Sequence, residues 1–468
     1  MAGTWLTVLM ISAAFGAFMA LSGNPFVSAG LSLALLALLV LVSNAKNAML
    51  GEPLLFSDLA LFGSIFRHPK FYLSAITLPQ RMAVAAGALV LLGCLAWLFV
   101  PTLHAHLQGF GLLLVSLAGL WTTVRSPPFR RLVTVPQAHA DIHRHGLLPT
   151  LLLYWLRWRE SVDPAPCAAR SASPPQKGAP ELIVAIQCES FADPVDLFGD
   201  AEFALPGLTY ARENAWQHGR LEVSGFGAYT MRTEYAVLFG RSEDELGFRR
   251  YDPFLTALGE TSYALPNRLK PQGWRSVFVH PHDMRFYSRD RIMPASGFTD
   301  LIGEEHFAAP TAEEGQYVTD AAVSEQVLSL AKHAQSPSMI YAVTIENHGP
   351  WAPDSPNAGT LIESYLRLAR HSDTMLSDLI KQLSAMKRPA LLVFFGDHRP
   401  SIPGWAAPGG DRHTPYVILR LNEAGQIVRG PNRRADLTPA ALHHTILAMA
   451  PSNAATEPHD QKISVTVD

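Results

Sequence analysis

Three side chains with metal-ligand chemistry stand directly after two apolar runs of the sequence. The run ELIVAIQC leads into Glu189, and the run ALLVFFG leads into Asp397 and His398. Carboxylate and imidazole groups gathered in one small volume suit a hard or borderline divalent cation. A single acid in such a position is most often an ordinary loop charge, but three such groups after two runs favour a metal site.

A hydroxyl group that could act as a nucleophile lies in the stretch VSGFGAYTMRTEYAVLFG (223–240). Its glycines precede Tyr229 and Thr230, and an apolar run follows, which indicates a turn that leads into a helix. A hydroxyl at a helix start lies near the positive end of the helix dipole, which suits an anionic phosphate. A metal ion beside that hydroxyl would make it a nucleophile. From this stretch alone, a helix-capping role for Thr230 is the commoner outcome, and Thr233 competes for either role.

Basic and hydrogen-bonding side chains cluster after two further apolar runs. His348 follows the run SMIYAVTI. Five residues follow the run WRSVFV: His280, His282, Arg285, Tyr287 and Arg289. A lone histidine is usually structural. Cationic and hydrogen-bonding groups beside a metal site instead suggest recognition of phosphate oxygens.

The apolar runs are typical of short buried strands, because they are rich in Val, Ile and Phe and end in polar residues. Amphipathic segments with apolar residues at helical spacing lie between them, such as residues 361–386. Strands that alternate with helices predict an α/β domain with a mostly parallel sheet covered by helices. Such sheets bind ligands at the carboxyl ends of their strands, where the candidate metal ligands fall.

Four stretches near the start of the chain predict membrane-spanning helices: residues 5–22, 26–43, 83–100 and 107–124. Each has about 18 residues without a charge, close to the minimum that crosses the hydrocarbon core. A cleaved signal peptide is the alternative for the first stretch, but it lacks a basic start and three more apolar runs follow it. Two further stretches, 54–66 and 146–156, are typical of interfacial helices, with a fifth short or re-entrant membrane element as the alternative.

The basic residues that flank these stretches do not agree on the orientation of the chain. An even number of spans puts both ends on one side of the membrane. The loop after the second span carries four basic residues, an argument for the cytoplasm: Lys46, Arg67, Lys70 and Arg81. The segment after the fourth span carries Arg125, Arg130 and Arg131. The charges therefore leave the orientation open.

Composition divides the chain into three parts. Hydrophobic residues make up 48% of the chain and charged residues only 16%, with the apolar residues concentrated at the front. The stretch DPAPCAARSASPPQKGAP is typical of a linker, which predicts a transmembrane domain over 1–125, a connector and linker over 126–180 and an α/β domain over 181–468. The net charge of -3 does not indicate a nucleic-acid partner. Three cysteines without a CxxC motif form no disulfide framework, although Cys167 and Cys188 could pair.

Five motifs, taken in order, resemble those of the lipoteichoic acid synthase and periplasmic-glucan phosphoglycerol transferase family. They are ESF (189–191), GFGAYTMRTEY (225–235), HPHDMRFYSRD (280–290), ENHGPW (346–351) and FGDH (395–398). Proteins of this family are membrane-anchored, sulfatase-like members of the alkaline phosphatase superfamily. The resemblance covers about residues 181–450, and Thr230 stands four residues before Glu234, as the family's nucleophile stands before its glutamate.

The resemblance implies a fold, a metal and a pocket. The fold is an N-terminal α-helical transmembrane bundle followed by an extracytoplasmic α/β sulfatase-like catalytic domain. The metal is a divalent cation, typically manganese with magnesium or zinc as alternatives, and its implied ligands are Glu189, Thr230, Asp397 and His398. The implied nucleophile is Thr230. The implied phosphoglycerol pocket is lined by His280, His282, Tyr287, Arg289 and His348.

The implied reaction is transfer of glycerol phosphate from phosphatidylglycerol to a glycan or polymer acceptor through a phosphothreonine-type intermediate. A multi-pass protein of the bacterial inner membrane, with its catalytic domain facing the periplasm or the outside, would fit this reaction because the donor stays in the bilayer. A phosphoethanolamine transferase, or a sulfatase or phosphodiesterase of the same superfamily, is an alternative. The sulfatase motif C-x-P-x-R is absent, and phosphoethanolamine transferases tend to carry several disulfides. A non-catalytic membrane scaffold is an alternative of another class.

Overall fold

Long apolar helices form the first part of the chain. The computed structural model describes residues 1–59, 78–168, 178–311, 315–351 and 360–450. The first helices are α1 Ala2–Ser22, α2 Pro25–Leu50, α3 Leu78–Trp97 and α4 Leu103–Arg125. Helices α1, α2 and α4 are long and apolar enough to cross a membrane, so the structure has a suitable helix at three of the four predicted spans. The apolar part of α3 is the shorter Ala86–Trp97, so the fourth span stays a prediction.

Helix α1 packs along both α2 and α4. A Cβ atom at Gly109 would lie 2.3 Å from the backbone nitrogen of Ala20, so the missing side chain permits the close approach of α4 to α1. Small residues at such crossings let apolar helices pack backbone to backbone. Trp5 Nε1 donates a hydrogen bond to Thr123 Oγ1 at 3.1 Å. The start of α1 and the end of α4 therefore lie together.

Three connector helices follow the bundle: α5 Pro127–Arg130, α6 Ala138–His145 and α7 Leu147–Glu160. The segment predicted as an interfacial helix over 146–156 falls almost entirely in α7. Its Leu153 and Tyr154 are fully buried, and the Tyr154 ring packs 5.1 Å from Phe248 and 5.7 Å from Tyr251. One face of this helix is therefore covered by the α/β domain, because Phe248 and Tyr251 belong to that domain.

The other segment predicted as an interfacial helix, residues 54–66, is described only as far as residue 59. Leu55 and Phe56 are buried there, and the Phe56 ring stacks on Trp158 of α7 at 5.5 Å. The rest of that segment lies outside the described residues. Its beginning packs on the connector helices.

An eight-stranded sheet forms the centre of the α/β domain. Its strands are β1 Leu182–Cys188, β2 Gln217–Leu221, β3 Arg275–Val279, β4 Asp300–Ile302, β5 Ser338–Val343, β6 Ala390–Gly396, β7 Thr414–Leu421 and β8 Arg433–Arg434. The strand order is β4-β3-β5-β1-β6-β7-β2-β8. Strand β7 is antiparallel to β6 and β2, and the other pairings are parallel. The predicted mostly parallel sheet is therefore confirmed.

Helices cover both faces of this sheet. They are α8 Pro194–Phe198, α9 Pro206–Asn214, α10 Thr230–Phe239, α11 Glu243–Leu246, α12 Pro253–Thr256, α13 Leu265–Leu269, α14 Arg289–Ala295, α15 Asp320–His333, α16 Leu361–Ala385 and α17 Pro439–Met449. Ile183 and Ala185 of β1 face a core with α10, α13, α14 and α17, whereas Val184 and Ile186 face a core with α9, α15 and α16. Alternate side chains of one strand thus enter two cores, as expected for a sheet buried on both faces.

The strand order brings four strand ends to one edge of the sheet. Strands β3, β5, β1 and β6 are adjacent and parallel. The residues that follow them are His280 after β3, Thr344 after β5, Glu189 after β1 and Asp397 after β6. Cys188 pairs with Gly396 in register, which places the next residues, Glu189 and Asp397, side by side.

Candidate active site

The three candidate metal ligands converge at this edge of the sheet. Glu189, Asp397 and His398 are buried, and each offers a ligand atom within 4.8 Å of the other two. His398 Nε2 lies 3.4 Å from Glu189 Oε1 and 3.6 Å from Asp397 Oδ2. The fold therefore brings together two carboxylates and an imidazole that are far apart in the sequence.

Hydrogen bonds fix one carboxylate oxygen of Asp397 and leave the other without a donor. Asp397 Oδ1 accepts the backbone N–H groups of Ser190 and His398, both at 2.8 Å. Asp397 Oδ2 is buried and has no hydrogen-bond partner. Ser190 presents its N–H from a left-handed backbone conformation with φ of 49°. A buried oxygen without a donor is costly, and a bound cation would satisfy it.

The imidazole of His398 is oriented for metal binding by its own backbone. His398 Nδ1 lies 3.1 Å from Arg399 O, which can only accept, so Nδ1 donates and Nε2 faces the carboxylates. Burial lowers the pKa of His398, but the charges of Asp397 and then Glu189 outweigh burial, and the pKa is raised. Burial and the charge of Glu189 raise the pKa of Asp397 to about 7. Two carboxylates this close favour a proton or a cation between them.

Thr230 is the first residue of α10, so the helix start expected from the sequence is present. Tyr229 before it has φ of 80° and caps the helix without a side-chain hydrogen bond. The turn directs Thr230 Oγ1 toward the metal-ligand cluster, 3.4 Å from Glu189 Oε2 and 3.4 Å from His398 Nε2. Thr230 is only half-buried, whereas the other three residues of the cluster are buried.

The competing hydroxyl of Thr233 has a different partner. Thr233 is buried, and its Oγ1 donates to the backbone oxygen of Asp397 at 2.7 Å. This bond ties α10 to the end of β6. Both threonines therefore contact the same corner of the site, but the metal-ligand side chains are next to Thr230 Oγ1.

Arg289, which the resemblance implies as a phosphate ligand, lies in a buried ion pair. Its Nε donates to Glu234 Oε1 at 3.0 Å and its Nη2 to Glu234 Oε2 at 2.6 Å. Both side chains are almost completely buried. No hydrogen bond joins Nη1 to a described residue, so Nη1 is the atom left for a ligand. The phosphate-binding role of Arg289 stays a prediction.

The two histidines after β3 lie near this arginine. His280 Nδ1 lies 3.0 Å from Val343 O, and the rings of His280 and His282 are 5.9 Å apart. Burial and then the positive charge of Arg289 lower the pKa of both histidines. The Tyr287 ring lies 5.1 Å from the guanidinium carbon of Arg289. These predicted pocket residues are thus brought together, and their contacts with substrate stay predictions.

Tyr317 is a residue of this neighbourhood that the sequence analysis missed. Its hydroxyl lies 3.4 Å from Nδ1 of His348, the last of the predicted pocket residues, which also contacts Gly349 O at 2.7 Å. Burial and the charge of Glu189 raise the pKa of Tyr317 to about 12. No motif surrounds Tyr317, so the sequence carried no signal for it.

The residues of the cluster fit a divalent metal ion. Glu189, Asp397 and His398 supply two carboxylates and one imidazole, and the hydroxyl of Thr230 stands beside them. The oxygen of Asp397 that lacks a donor points into the same cluster. Oxygen and nitrogen donors of this kind suit manganese, magnesium and zinc, so the donor set alone does not select one metal.

Fold and site together define a membrane-anchored α/β protein with a candidate metal centre beside a hydroxyl at a helix start. The Sulfatase family model matches residues 181–447, more than half of the chain. The chain therefore belongs to the Sulfatase family. The sulfatase-like family resemblance seen in the motifs is confirmed.

Three relatives show how far the similarity extends. The capsular polysaccharide biosynthesis protein RkpI of Rhizobium meliloti (strain 1021) is 30% identical over 465 residues, which cover 94% of this chain and 86% of RkpI. A putative cyclic beta-1,2-glucan modification protein of the same organism is 23% identical over 500 residues, 95% of this chain and 76% of the relative. The lipoteichoic acid synthase-like YvgJ of Bacillus subtilis (strain 168) is 22% identical over 194 residues, 38% of this chain and 31% of YvgJ. Matches that cover 94% and 95% of this chain extend beyond the α/β domain into the N-terminal helical part.

Proposed function

We propose that the protein is a membrane-anchored, metal-dependent phosphoglycerol transferase. The observation that carries the proposal is the position of Thr230 Oγ1, 3.4 Å from Glu189 Oε2 and 3.4 Å from His398 Nε2, at the least buried part of the candidate metal centre. The proposed donor is phosphatidylglycerol, and the proposed acceptor is a hydroxyl of a glycan or polymer. The names of two relatives, which refer to a capsular polysaccharide and a cyclic glucan, support a glycan acceptor.

Four residues would hold the metal: Glu189, Thr230, Asp397 and His398. Manganese is the proposed ion, with magnesium and zinc as alternatives. When bound, a divalent ion supplies positive charge that lowers the pKa of a neighbouring hydroxyl and stabilises charge on phosphate oxygens. The start of α10 adds backbone N–H groups and the positive end of the helix dipole on the same side.

The reaction has two half-reactions at one phosphorus atom. In the first, a bond forms between Thr230 Oγ1 and phosphorus, and the bond from phosphorus to the diacylglycerol oxygen breaks. Thr230 loses its hydroxyl proton, and the leaving diacylglycerol oxygen gains one, so the protons balance. Glu189 Oε2 accepts the hydrogen bond of the Thr230 hydroxyl and so orients it for attack. In the second, an acceptor hydroxyl forms the new bond to phosphorus, loses its proton and releases Thr230 as a free hydroxyl.

His280 is suited to the glycerol part of the donor. Its Nδ1 faces the backbone oxygen of Val343, so a neutral ring carries its proton on Nδ1 and accepts hydrogen bonds at Nε2. Burial and the charge of Arg289 lower its pKa, which keeps the ring neutral at pH 7. A neutral acceptor suits a glycerol hydroxyl, whereas Nη1 of Arg289 suits a phosphate oxygen. His282, Tyr287 and His348 complete the proposed pocket.

Two rival activities have weaker support. The nucleophile position holds Thr230 and not the cysteine of a C-x-P-x-R motif, which disfavours sulfate-ester hydrolysis. Cys94, Cys167 and Cys188 are free, so the open possibility of a bridge between Cys167 and Cys188 is not realised. A chain without disulfides disfavours the phosphoethanolamine transferases. A scaffold without activity would have no need to gather Glu189, Asp397 and His398 beside the hydroxyl of Thr230.

The donor head group can be tested with the full-length protein in nanodiscs. We expect diacylglycerol release, and a labelled head group on the acceptor or the enzyme, from nanodiscs that contain head-group-labelled phosphatidylglycerol. Matched nanodiscs with labelled phosphatidylethanolamine should give neither product. Release from phosphatidylethanolamine alone would make the protein a phosphoethanolamine transferase, and no release from either lipid would favour the scaffold.

We place the protein in the inner membrane of a bacterium as a multi-pass protein, with its catalytic domain facing the periplasm or the outside. The lipid donor and the glycan acceptor support this orientation. Lys46 was one of the basic residues that argued for a cytoplasmic loop. Its ammonium lies 3.5 Å from Glu52 and 2.5 Å from Asp58, so these two carboxylates neutralise its charge and weaken that argument. A C-terminal reporter that is active only outside the cytoplasm should be active in cells. Activity of a cytoplasm-only reporter at the same position would reverse the orientation.

A further inference from the structure

The segment after α2 docks on the turn that carries Thr230. Glu52 lies two residues beyond α2 and is buried together with Arg232, the third residue of α10. Arg232 Nη1 donates to Glu52 Oε1 at 3.1 Å, and Nη2 donates to Glu52 Oε2 at 2.7 Å. This two-pronged ion pair connects the membrane segment to the first turn of α10.

Arg232 in turn packs on the residue before Thr230. Its guanidinium carbon lies 3.9 Å from the centre of the Tyr229 ring, and its Nε donates to Tyr251 O at 3.1 Å. Tyr229 has a left-handed backbone conformation, which residues other than glycine rarely adopt. Such a conformation persists only where the surrounding structure holds it. The stacked guanidinium of Arg232 is one contact that does so.

Lys46 near the end of α2 completes the junction. Its ammonium lies 3.5 Å from Glu52 and 5.5 Å from the centre of the Tyr229 ring. Burial opposes the ionised form of Glu52, but the charges of Arg232 and Lys46 outweigh burial and hold the pKa of Glu52 below its ordinary value. The ion pair is therefore present at neutral pH.

We propose that Glu52, in the segment after the membrane helix α2, is a positioning residue for the reaction. It holds Arg232, which packs on Tyr229, and so stabilises the turn that presents Thr230. The inference rests on the proposed role of Thr230 as the nucleophile. Its consequence is that the hydroxyl is fully positioned only while the α/β domain sits on the end of α2. The carboxylate of Glu52 would then do two things. It would hold the α/β domain against the end of α2, close to the membrane that contains a lipid donor, and it would position the hydroxyl of Thr230.

The ion pair of Glu52 with Arg232 explains why a substitution of Glu52 should alter the position of Thr230. Glu52→Gln keeps the size of the side chain but removes the negative charge, which leaves the buried guanidinium of Arg232 without its counter-ion. An arginine in that state is drawn toward water and away from the Tyr229 ring. The turn at Tyr229 then loses a contact that holds its left-handed conformation.

The test uses the full-length protein in nanodiscs and measures kcat, KM, bound metal and amide hydrogen exchange of the peptide over 224–235. We expect Glu52→Gln to lower kcat by about tenfold or more with KM within about twofold and the metal retained. We also expect exchange in the turn to become about tenfold faster or more. Glu52→Asp keeps the charge and should recover part of kcat.

Asp141→Asn is the matched control. Asp141 is a buried carboxylate of the connector, and among the described residues its side chain accepts hydrogen bonds from the Tyr154 hydroxyl at 2.6 Å and from the backbone N–H of Gln137 at 2.9 Å, neither of which belongs to α10. We expect its kcat and its exchange over 224–235 to match wild type. Wild-type kcat and exchange in Glu52→Gln would overturn the proposal, and so would equal changes in Glu52→Gln and Asp141→Asn, which would indicate general destabilisation.

A second variant keeps the test decisive if Glu52→Gln does not fold. Arg232→Lys keeps the positive charge opposite Glu52. It removes the planar guanidinium, which stacks on Tyr229 and donates two hydrogen bonds to the Glu52 carboxylate. It should also lower kcat and speed exchange in the turn, and wild-type values would overturn the proposal. Hydrogen exchange separates this inference from the proposed function, since a fully active Thr230→Ala would refute the nucleophile while leaving the effect of Glu52 on the turn standing.

Discussion

Thr230→Ala should lower turnover by a factor on the order of 10⁴ or more, because no neighbouring group replaces a lost covalent nucleophile. The protein should stay folded, since the substitution removes a half-buried hydroxyl that caps no helix. Metal binding should persist through Glu189, Asp397 and His398. The measurement is the initial rate of diacylglycerol release from phosphatidylglycerol nanodiscs, with bound metal determined on the same sample.

Two control variants sharpen this result. Thr230→Ser keeps a hydroxyl at the same place and should retain a measurable part of the activity. Thr233→Ala removes only a hydrogen bond to the backbone of Asp397, which should cost about 1 kcal/mol of stability and affect turnover far less. The two threonines differ by a single turn of α10, so the pair tests position and not merely the presence of a hydroxyl.

Mass spectrometry of enzyme trapped with donor gives an independent readout. We expect a phosphoglycerol adduct on the peptide that contains both threonines, and fragmentation should place it on Thr230. An adduct on Thr233, or full activity of Thr230→Ala, would refute the nucleophile assignment. The metal centre would be unaffected by that outcome.

Asp397→Asn should abolish metal binding while the metal-free protein stays folded. The asparagine oxygen can take the place of Oδ1 and accept the N–H groups of Ser190 and His398. The amide nitrogen then takes the place of Oδ2, so the negative charge and lone pairs that a cation needs are lost. Turnover should fall below detection and should not return when divalent cation is added.

Elemental analysis and thermal unfolding measure this loss directly. In the wild type, a divalent cation at about 100 times its Kd should stabilise the folded protein by about 2.7 kcal/mol, and a chelator should remove both that stabilisation and the activity. Asp397→Asn should show no stabilisation by the cation. Asp193→Asn is the control, because asparagine caps α8 as well as aspartate does and Asp193 is not a ligand. A metal-free wild type that is fully active in chelator would refute the mechanism.

The sequence by itself placed the candidate ligands on the right elements. Glu189, Asp397 and His398 were expected after buried strands, and β1 and β6 end directly before them. These strands could be predicted because a parallel strand covered on both faces needs a continuous apolar run. Three spans were predictable for a similar reason, since length and hydropathy alone decide whether a helix can cross the hydrocarbon core.

Only the tertiary structure decided which side chains meet. The residues around the turn left Thr230 and Thr233 as competitors, and only the family resemblance favoured Thr230. The packing of α10 on the sheet directs Thr230 to the metal ligands and Thr233 to a backbone oxygen. Arg289, expected in the pocket, also neutralises Glu234, because both are buried at the same place. Tyr317 lies beside His348 although no motif marks it.

The contact of Glu52 with Arg232 is the clearest case. The two residues are 180 positions apart, one just beyond a membrane helix and the other in the α/β domain. Periodicity and composition report how a segment buries its own faces, and they carry no information on which distant segment supplies the opposite charge. Such a pair forms only when packed elements approach each other, and so the link between the membrane segment and the turn at Thr230 could be found only in the tertiary structure.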